Sequence, residues 1–448
     1  MNKAFMPFPT LYKALGLERL ARYLRCDRLD LLVGIALALL AAVATYGCAQ
    51  LIGPNLFVID PYGDSWFDSD VAAYYSTLAD QRNIDLHKRT YKHPLLSFAL
   101  CLPVYLLRAI NFDAIIAVRL VVAGIAALWL ASLFCFLRVM GCRLIEAVLL
   151  SLIASVSAAA LFWLPVLESF ALGSLGFVWA LGWVAIAQTR PPSVLSGVLI
   201  SLATWSITIT NWFVGLVAIA LIYGRRQAIR VTGLALLIGM ALVGVQRAVF
   251  GSYLPFVVPS NELKYVVSSE AGGPWNVIRA FVCHTLVMPA IEIAAQPSKG
   301  VPVMTIQFSS PGTGSSLGAL AIGLWLALLA LGLWQLLTMK THVKLRLMLG
   351  ISLLGQLGLH LVYTGRETFL YSLHFLPFWM GIAALGALNL KRSSYSRPLY
   401  IALLIALLIT MGLNNTTQFA RASAFYHGPP SIESVEQTSL VIKPSSHF

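Results

Sequence analysis

The feature that most constrains this chain is a succession of apolar runs about as long as a bilayer is thick. The first, Leu31–Gly53, carries no charged residue. Roughly 20 residues of helix at 1.5 Å per residue cross the ~30 Å of hydrocarbon. Ten further runs follow: Ala114–Val139, Leu144–Val166, Ser169–Ala187, Ser193–Ile207, Trp212–Tyr223, Val231–Val249, Leu317–Met339, Leu347–Tyr363, Phe369–Leu390 and Pro398–Met411. A soluble fold has no use for so much apolar sequence, because its surface must face water. With 58% hydrophobic and 11% charged residues and a mean hydropathy of +0.80, the chain reads as an all-α polytopic membrane protein. The first run follows a basic leader and has no small-x-small cleavage site before the next segment, so it is expected to stay as an anchor.

Charge sets the expected orientation. Of 31 basic residues, 18 fall in the leader and in short turns: Arg138/Arg143, Arg190, Arg225/Arg226/Arg230, Lys340/Lys344/Arg346 and Lys391/Arg392/Arg397. These turns share one side only if Pro94–Ile110, which contains Pro103 and Arg108, lies in the interface and does not cross. The positive-inside rule then puts the amino terminus in the cytoplasm and gives eleven spans. Residues 1–448 form one membrane domain, with outer loops at 54–113 and 251–316 and an outer tail at 412–448. The net charge of +13 is dispersed through short turns, so it marks orientation and not a nucleic-acid partner. Cys101 and Cys283 are the two cysteines expected outside, without implying a disulfide framework. The second loop reads as an amphipathic helix around Pro274–Pro289 followed by a mobile Gly/Pro/Ser stretch, Gln296–Ser316.

Polar chemistry collects at the outer edge. The first loop holds Trp66-Phe67-Asp68-Ser69-Asp70-Val71-Ala72-Ala73-Tyr74-Tyr75 and closes on Tyr91-Lys92-His93-Pro94. Asp68 and Asp70 both have a simple reading as helix caps. Asp70 stands out because Tyr74 follows at i+4 on the same helical face. Glu168, beside Trp163 and Pro165, also has a reading as a helix-start acid. Arg119, early in the second span, either snorkels to the interface or holds Asp70 or Glu168 ionised. Arg366 and Glu367 read either as a surface pair worth about 0–1 kcal/mol or as part of a cluster. Glu367, Tyr371 and His374 at i, i+4 and i+7 would then share one helix face, with His374 inside an apolar span where a polar group needs a partner or a cavity. His360 reads as a satisfied buried histidine. Arg279, His284 and Glu292 are candidates in the second loop.

The order of basic leader, single span, outer Asp-x-x-x-Tyr and Lys-x-Pro-Leu resembles the GT-C glycosyltransferases. Within them it is most similar to the lipid A aminoarabinose transferases and protein O-mannosyltransferases. The pattern continues in Ala117-Val118-Arg119-Leu120, in Arg138-Val139-Met140-Gly141-Cys142-Arg143 and in Glu168 opening a later span. It covers roughly residues 30–190. The chain departs from it at Asp70-Val71, where the family often has Asp-Glu, and at Lys92-His93-Pro94, where it has Lys-Pro-Pro.

The resemblance implies a GT-C-like bundle and a donor sugar carried on a polyprenyl phosphate such as undecaprenyl phosphate. The acceptor would be a protein, a lipid or a glycan at the outer face of a bacterial cytoplasmic membrane. It implies Asp70 as general base, with Asp68 or Glu168 as the second acid. Lys92, His93, Arg366, His374, Tyr371 and Arg119 would face the donor phosphate. Tyr74, Glu367 and His284 would line the donor or acceptor pocket. No cofactor is implied beyond a possible divalent metal. Rival readings are a ligase or polymerase using a diphosphate-linked donor, a lipid or sugar flippase, and a non-catalytic scaffold.

Overall fold

The computed structural model describes residues 27–53, 56, 65–80, 85–256, 266, 272–295, 302–363, 367–388, 390 and 395–426. Among them, eight helices are long and apolar enough to cross a membrane. They are α1 (Arg28–Leu51), α4 (Ala114–Met140), α7 (Phe170–Ala187), α10 (Arg225–Phe250), α12 (Ser316–Thr338), α13 (Val343–Val362), α14 (Ser372–Leu388, entered through a 3₁₀ turn at Thr368–Tyr371) and α15 (Ser396–Ala424). Shorter apolar helices are α3 (Leu96–Ala109), α5 (Leu144–Ser155), α8 (Val194–Ile207) and α9 (Trp212–Ile222). Helix is the form that lipid permits, because each backbone N–H finds its carbonyl within the same segment. The chain is an α-helical, multi-pass membrane protein.

Local sequence sets where these helices begin and end. Asp27 and Asp30 form a reciprocal capping box at the start of α1. Asp113 caps α4 through Ile115 N–H at 2.8 Å, and α4 stops at Gly141, whose φ of 109° suits only glycine. Helix α14 is the core of the bundle: every residue from Ser372 to Ala387 is buried. It packs against α7, α12 and α13, and α7 in turn lies on α4. By contrast α1, α10 and α15 show wide apolar faces to their surroundings, with Val43, Leu237 and Leu399 among the exposed residues.

Several expectations change. The expected crossing Leu144–Val166 is broken: α5 ends at Ser155 and α6 (Ala158–Trp163) restarts after Ser157. No proline or glycine causes the break. Its free backbone groups bond to later segments instead, Ala158 and Ala159 N–H donating to the Leu286 and Thr285 carbonyls at 2.9 and 3.0 Å. The Asn415 amide donates to the Val156 carbonyl at 2.9 Å. Helix α15 runs to Ala424, thirteen residues past the expected end at Met411, because Asn414, Asn415 and Gln418 are buried against residues 286–318. Residues 412–424 are therefore helix and not tail. The amphipathic helix expected over Pro274–Pro289 is shorter, α11 (Pro274–Arg279) followed by a π turn at Ala280–His284. Part of the stretch expected to be mobile is packed. Strands β1 (Glu292–Ala295) and β2 (Pro302–Thr305) form an antiparallel hairpin, and Ile306 and Gln307 are fully buried. Cys101 and Cys283 are free thiols. Helices α10 and α13 begin at Arg225 and Val343, earlier than expected.

Alternating helix direction gathers the long loops at one end of the bundle and the short basic turns at the other. At the long-loop end, Ser65 shares a hydrogen bond with Tyr426 and accepts Met304 N–H at its carbonyl. At the short-turn end, Arg138 bonds Asp30 at 2.6 and 3.0 Å, and Arg397 bonds Glu146 at 2.7 Å.

Candidate functional site

Between residues 65 and 70 the chain turns through two left-handed residues, Phe67 and Asp68, with φ of 51° and 60°. This turn delivers Asp70 to the start of α2 (Val71–Ala79). Asp70 occupies the cap position, yet its side chain makes no capping bond. Both carboxylate oxygens instead engage the guanidinium of Arg89, from the 3₁₀ turn Arg89–Tyr91. Its backbone N–H donates to Glu168 Oε1 at 2.8 Å, and Glu168 Oε2 accepts from Ser169 N–H at 3.0 Å. Glu168 is thus more than a helix-start acid. It ties the first loop to the mouth of α7. Burial, and then the neighbouring Asp70 charge, pushes its carboxyl up to about 8. Burial alone would weaken the charge on Arg89, but the Asp70 carboxylate outweighs it and raises its affinity for the proton. Tyr74, one turn into α2, is buried with Arg89 5.6 Å over its ring, and burial drives its phenol well up.

An aromatic plug holds this arrangement from behind. Phe67, Phe162, Trp163 and Phe369 meet edge-on or tilted at centroid distances of 5.3–6.1 Å. The Trp163 indole donates to the Phe369 carbonyl at 3.0 Å, and that of Trp66 to the Phe162 carbonyl at 3.3 Å. The acid pair therefore stands on packed side chains from three distant segments.

Asp70 and Glu168 open into a cavity of ≈ 340 Å³ at the long-loop end. Of the residues singled out in the sequence, Asp70, Tyr74, Lys92, His93, Glu168, Tyr371 and His374 line it. Lys92 is the one Lys or Arg among its described lining residues. His93 is an uncharged imidazole and not a cation. Burial and then Lys92 lower it to about 3, and its Nδ1 lies 2.9 Å from the Ile207 carbonyl and 3.1 Å from Thr208 Oγ1. His374 sits between Phe170 and Phe177, with ring centroids at 5.7 and 5.5 Å.

Other expected residues lie elsewhere. The 3₁₀ turn breaks the spacing that put Glu367 on a face with Tyr371 and His374. Glu367 faces away and accepts from Thr305 Oγ1 at 2.8 Å, Ile306 N–H at 3.0 Å and Phe369 N–H at 3.3 Å. Burial raises it to about 7. It is a staple for the hairpin segment. Asp68 lies within electrostatic reach of Glu367, outside the cavity lining. Arg119 acts on Tyr75, on another face of α2, and does not reach the lining either. His284 is buried in the π turn beside Arg279, lowered to about 3 by burial and then by that cation, and also stands apart from the cavity. Arg366 lies outside the described residues.

The sequence reading missed Arg89, Asn211, Gln356 and the exposure of His360 to this cavity. Gln356 and His360 stand at i, i+4 on the part of α13 that carries no Lys, Arg, Asp or Glu, and that spacing was the available signal. Arg89 was hidden in a run of polar loop residues. Among the described residues no three His, Cys, Asp or Glu side chains converge on one point.

An apolar groove of ≈ 640 Å³ adjoins the cavity, walled by Leu95, Phe98, Trp179, Leu199, Leu202 and Leu242. The two share a partition: Leu95 N–H donates to the Ser206 carbonyl at 2.7 Å while His93 bonds to Ile207 and Thr208. Comparison with protein-family models, with curated proteins and with solved structures found no match to this chain.

Proposed function

We propose that this chain is a membrane glycosyltransferase of the GT-C kind, moving a sugar from a polyprenyl phosphate to an acceptor hydroxyl at the outer face of a bacterial cytoplasmic membrane. One observation carries the reading. Asp70, held by Arg89 and tied through its backbone N–H to Glu168, opens into a cavity at the end of a membrane bundle, with a lysine on its wall and an apolar groove alongside. That combination suits a substrate with an isoprenoid tail, a phosphate and a polar head. The groove accommodates part of the tail, and Lys92 faces the phosphate.

The chemistry follows from the residues. An acceptor hydroxyl oxygen attacks the anomeric carbon, and the bond from that carbon to the phosphate oxygen breaks. The electron pair leaves with the polyprenyl phosphate, whose negative charge Lys92 balances. Asp70 takes the hydroxyl proton. Arg89 fixes its orientation, and Glu168 holds the backbone at Asp70 through Oε1. Attack from the face opposite the phosphate inverts the anomeric centre.

The test uses the full chain in lipid nanodiscs with a radiolabelled polyprenyl-phosphate sugar. Wild type should release polyprenyl phosphate and Asp70→Asn should not. Equal turnover by both would retire the reading. A diphosphate-linked donor consumed in preference, identified by mass spectrometry, would replace it with the ligase reading.

A further inference from the structure

The two ring nitrogens of His93 have different surroundings. Nδ1 lies 2.9 Å from the Ile207 carbonyl oxygen. A carbonyl can only accept, so the hydrogen of the neutral ring sits on Nδ1 and Nε2 keeps a lone pair. Backbone bonds on either side fix where the ring stands. The Lys92 carbonyl accepts Ile209 N–H at 3.0 Å, and Leu95 N–H donates to the Ser206 carbonyl at 2.7 Å. The Gln246 amide donates to the Pro94 carbonyl at 2.7 Å. Among the described residues Nε2 has no hydrogen-bond partner, and unlike the sealed Nε2 of His374 it keeps accessible surface. His93 lines the cavity that Asp70, Lys92 and Glu168 also line, and that surface opens there.

Resting on the glycosyl-transfer reading above, we propose that His93 reads the donor sugar, its Nε2 accepting a hydrogen bond from one ring hydroxyl. The sequence alone suggests a phosphate contact, but an oxygen of the sugar-linked phosphate carries no hydrogen. It would meet Nε2 lone pair against lone pair. A sugar hydroxyl can donate, and the sugar is bonded directly to the phosphate that faces Lys92, the residue next to His93. The two neighbours thus divide the donor between them, the cation taking the phosphate and the neutral acceptor taking the sugar. A donor lacking that hydroxyl would cover Nε2 and leave it unpaired, which makes His93 a specificity residue.

The experiment uses the full chain in nanodiscs with undecaprenyl phosphate carrying glucose, mannose or galactose. The hexose turned over fastest is then compared with its monodeoxy analogues, each lacking one ring hydroxyl. In the wild type one analogue should fall about tenfold in kcat/KM below the parent donor. His93→Asn keeps an amide donor where Nδ1 meets Ile207 and removes the acceptor at Nε2. It should bring that ratio to about one, while binding of bare undecaprenyl phosphate stays unchanged. His93→Gln reaches the Nε2 position with an amide oxygen and should keep the ratio near tenfold, which provides the test should the Asn variant fail to fold. A wild type indifferent to every deoxy analogue, or a ratio that persists in His93→Asn or vanishes in His93→Gln, would overturn the inference. So would a His93→Asn variant that binds bare undecaprenyl phosphate more weakly, since His93 would then face the phosphate. All these results leave the transferase reading standing. Turnover of none of the three hexose donors would sink both.

Discussion

At the short-turn end of the bundle each buried acid has an arginine to itself. Arg138 grips Asp30, whose other contacts belong to a helix cap, and Arg397 grips Glu146, which also caps α5. At the long-loop end two acids, Asp70 and Glu168, stand around one arginine and open on a cavity. The residue types are the same and the ratio differs. Matched pairs behave as fasteners between helices far apart in sequence. The surplus acid, Glu168, is buried and then crowded by the Asp70 charge, so its proton affinity rises. Buried charge in this protein is therefore informative by its imbalance and not by its presence.

That contrast can be attacked from both ends. The largest effect expected is on turnover: Asp70→Asn should cost roughly 1,000-fold, within the range for a lost general base, measured as release of polyprenyl phosphate. Arg138→Met should leave Asp30 buried without its partner and lower the stability of the detergent-solubilised protein by about 3 kcal/mol. It should do so without altering donor preference. If thermal unfolding stayed put while turnover fell, the two ends would not be the distinct devices described above.

The pH dependence is next in size. Glu168 holds its proton to about 8 in the fold against an ordinary value of 4.5, and Glu367 to about 7. Both favour the folded state below the ordinary carboxyl range, and that advantage is lost as pH rises towards 7–8. Unfolding temperature should therefore decline between about pH 4.5 and 8, and Glu168→Gln should flatten part of that slope. A slope identical in the variant would show that the acid pair is not crowded. Smallest is Tyr400→Phe at the fastener end. Removing its 2.8 Å bond to the Ala383 carbonyl should cost about 1 kcal/mol, read from the same unfolding curves, with turnover unchanged.

The membrane architecture was legible because hydrocarbon thickness writes itself into run length. Every expected run contains a helix or, at Leu144–Val166, two. The break at Val156–Ser157 was not legible, because Ser-Val-Ser carries no breaker and the compensating bonds come from residues 285, 286 and 415. Nor was the far extent of α15, whose polar residues look solvent-facing until their partners are known. In the site, the acids and Lys92 were found by their place at the membrane edge. Arg89 and Asn211 were not, since what distinguishes them is a partner 19 residues away in the one case and a missing partner in the other. Glu367 misled for the opposite reason: helical spacing was assumed across a turn that is 3₁₀.

The interrupted crossing also dictates an order of assembly. Ribosomes deliver residues 144–163 to the bilayer well before residues 285–286 and 415 exist, and until then the backbone at 156–159 has none of its three later partners. Lipid cannot supply them. Trp163 and Glu168, which follow immediately, therefore reach their final positions only near the close of translation. A chain interrupted after α10 lacks residues 285, 286 and 415, so the backbone behind the mouth of the cavity is left without those partners.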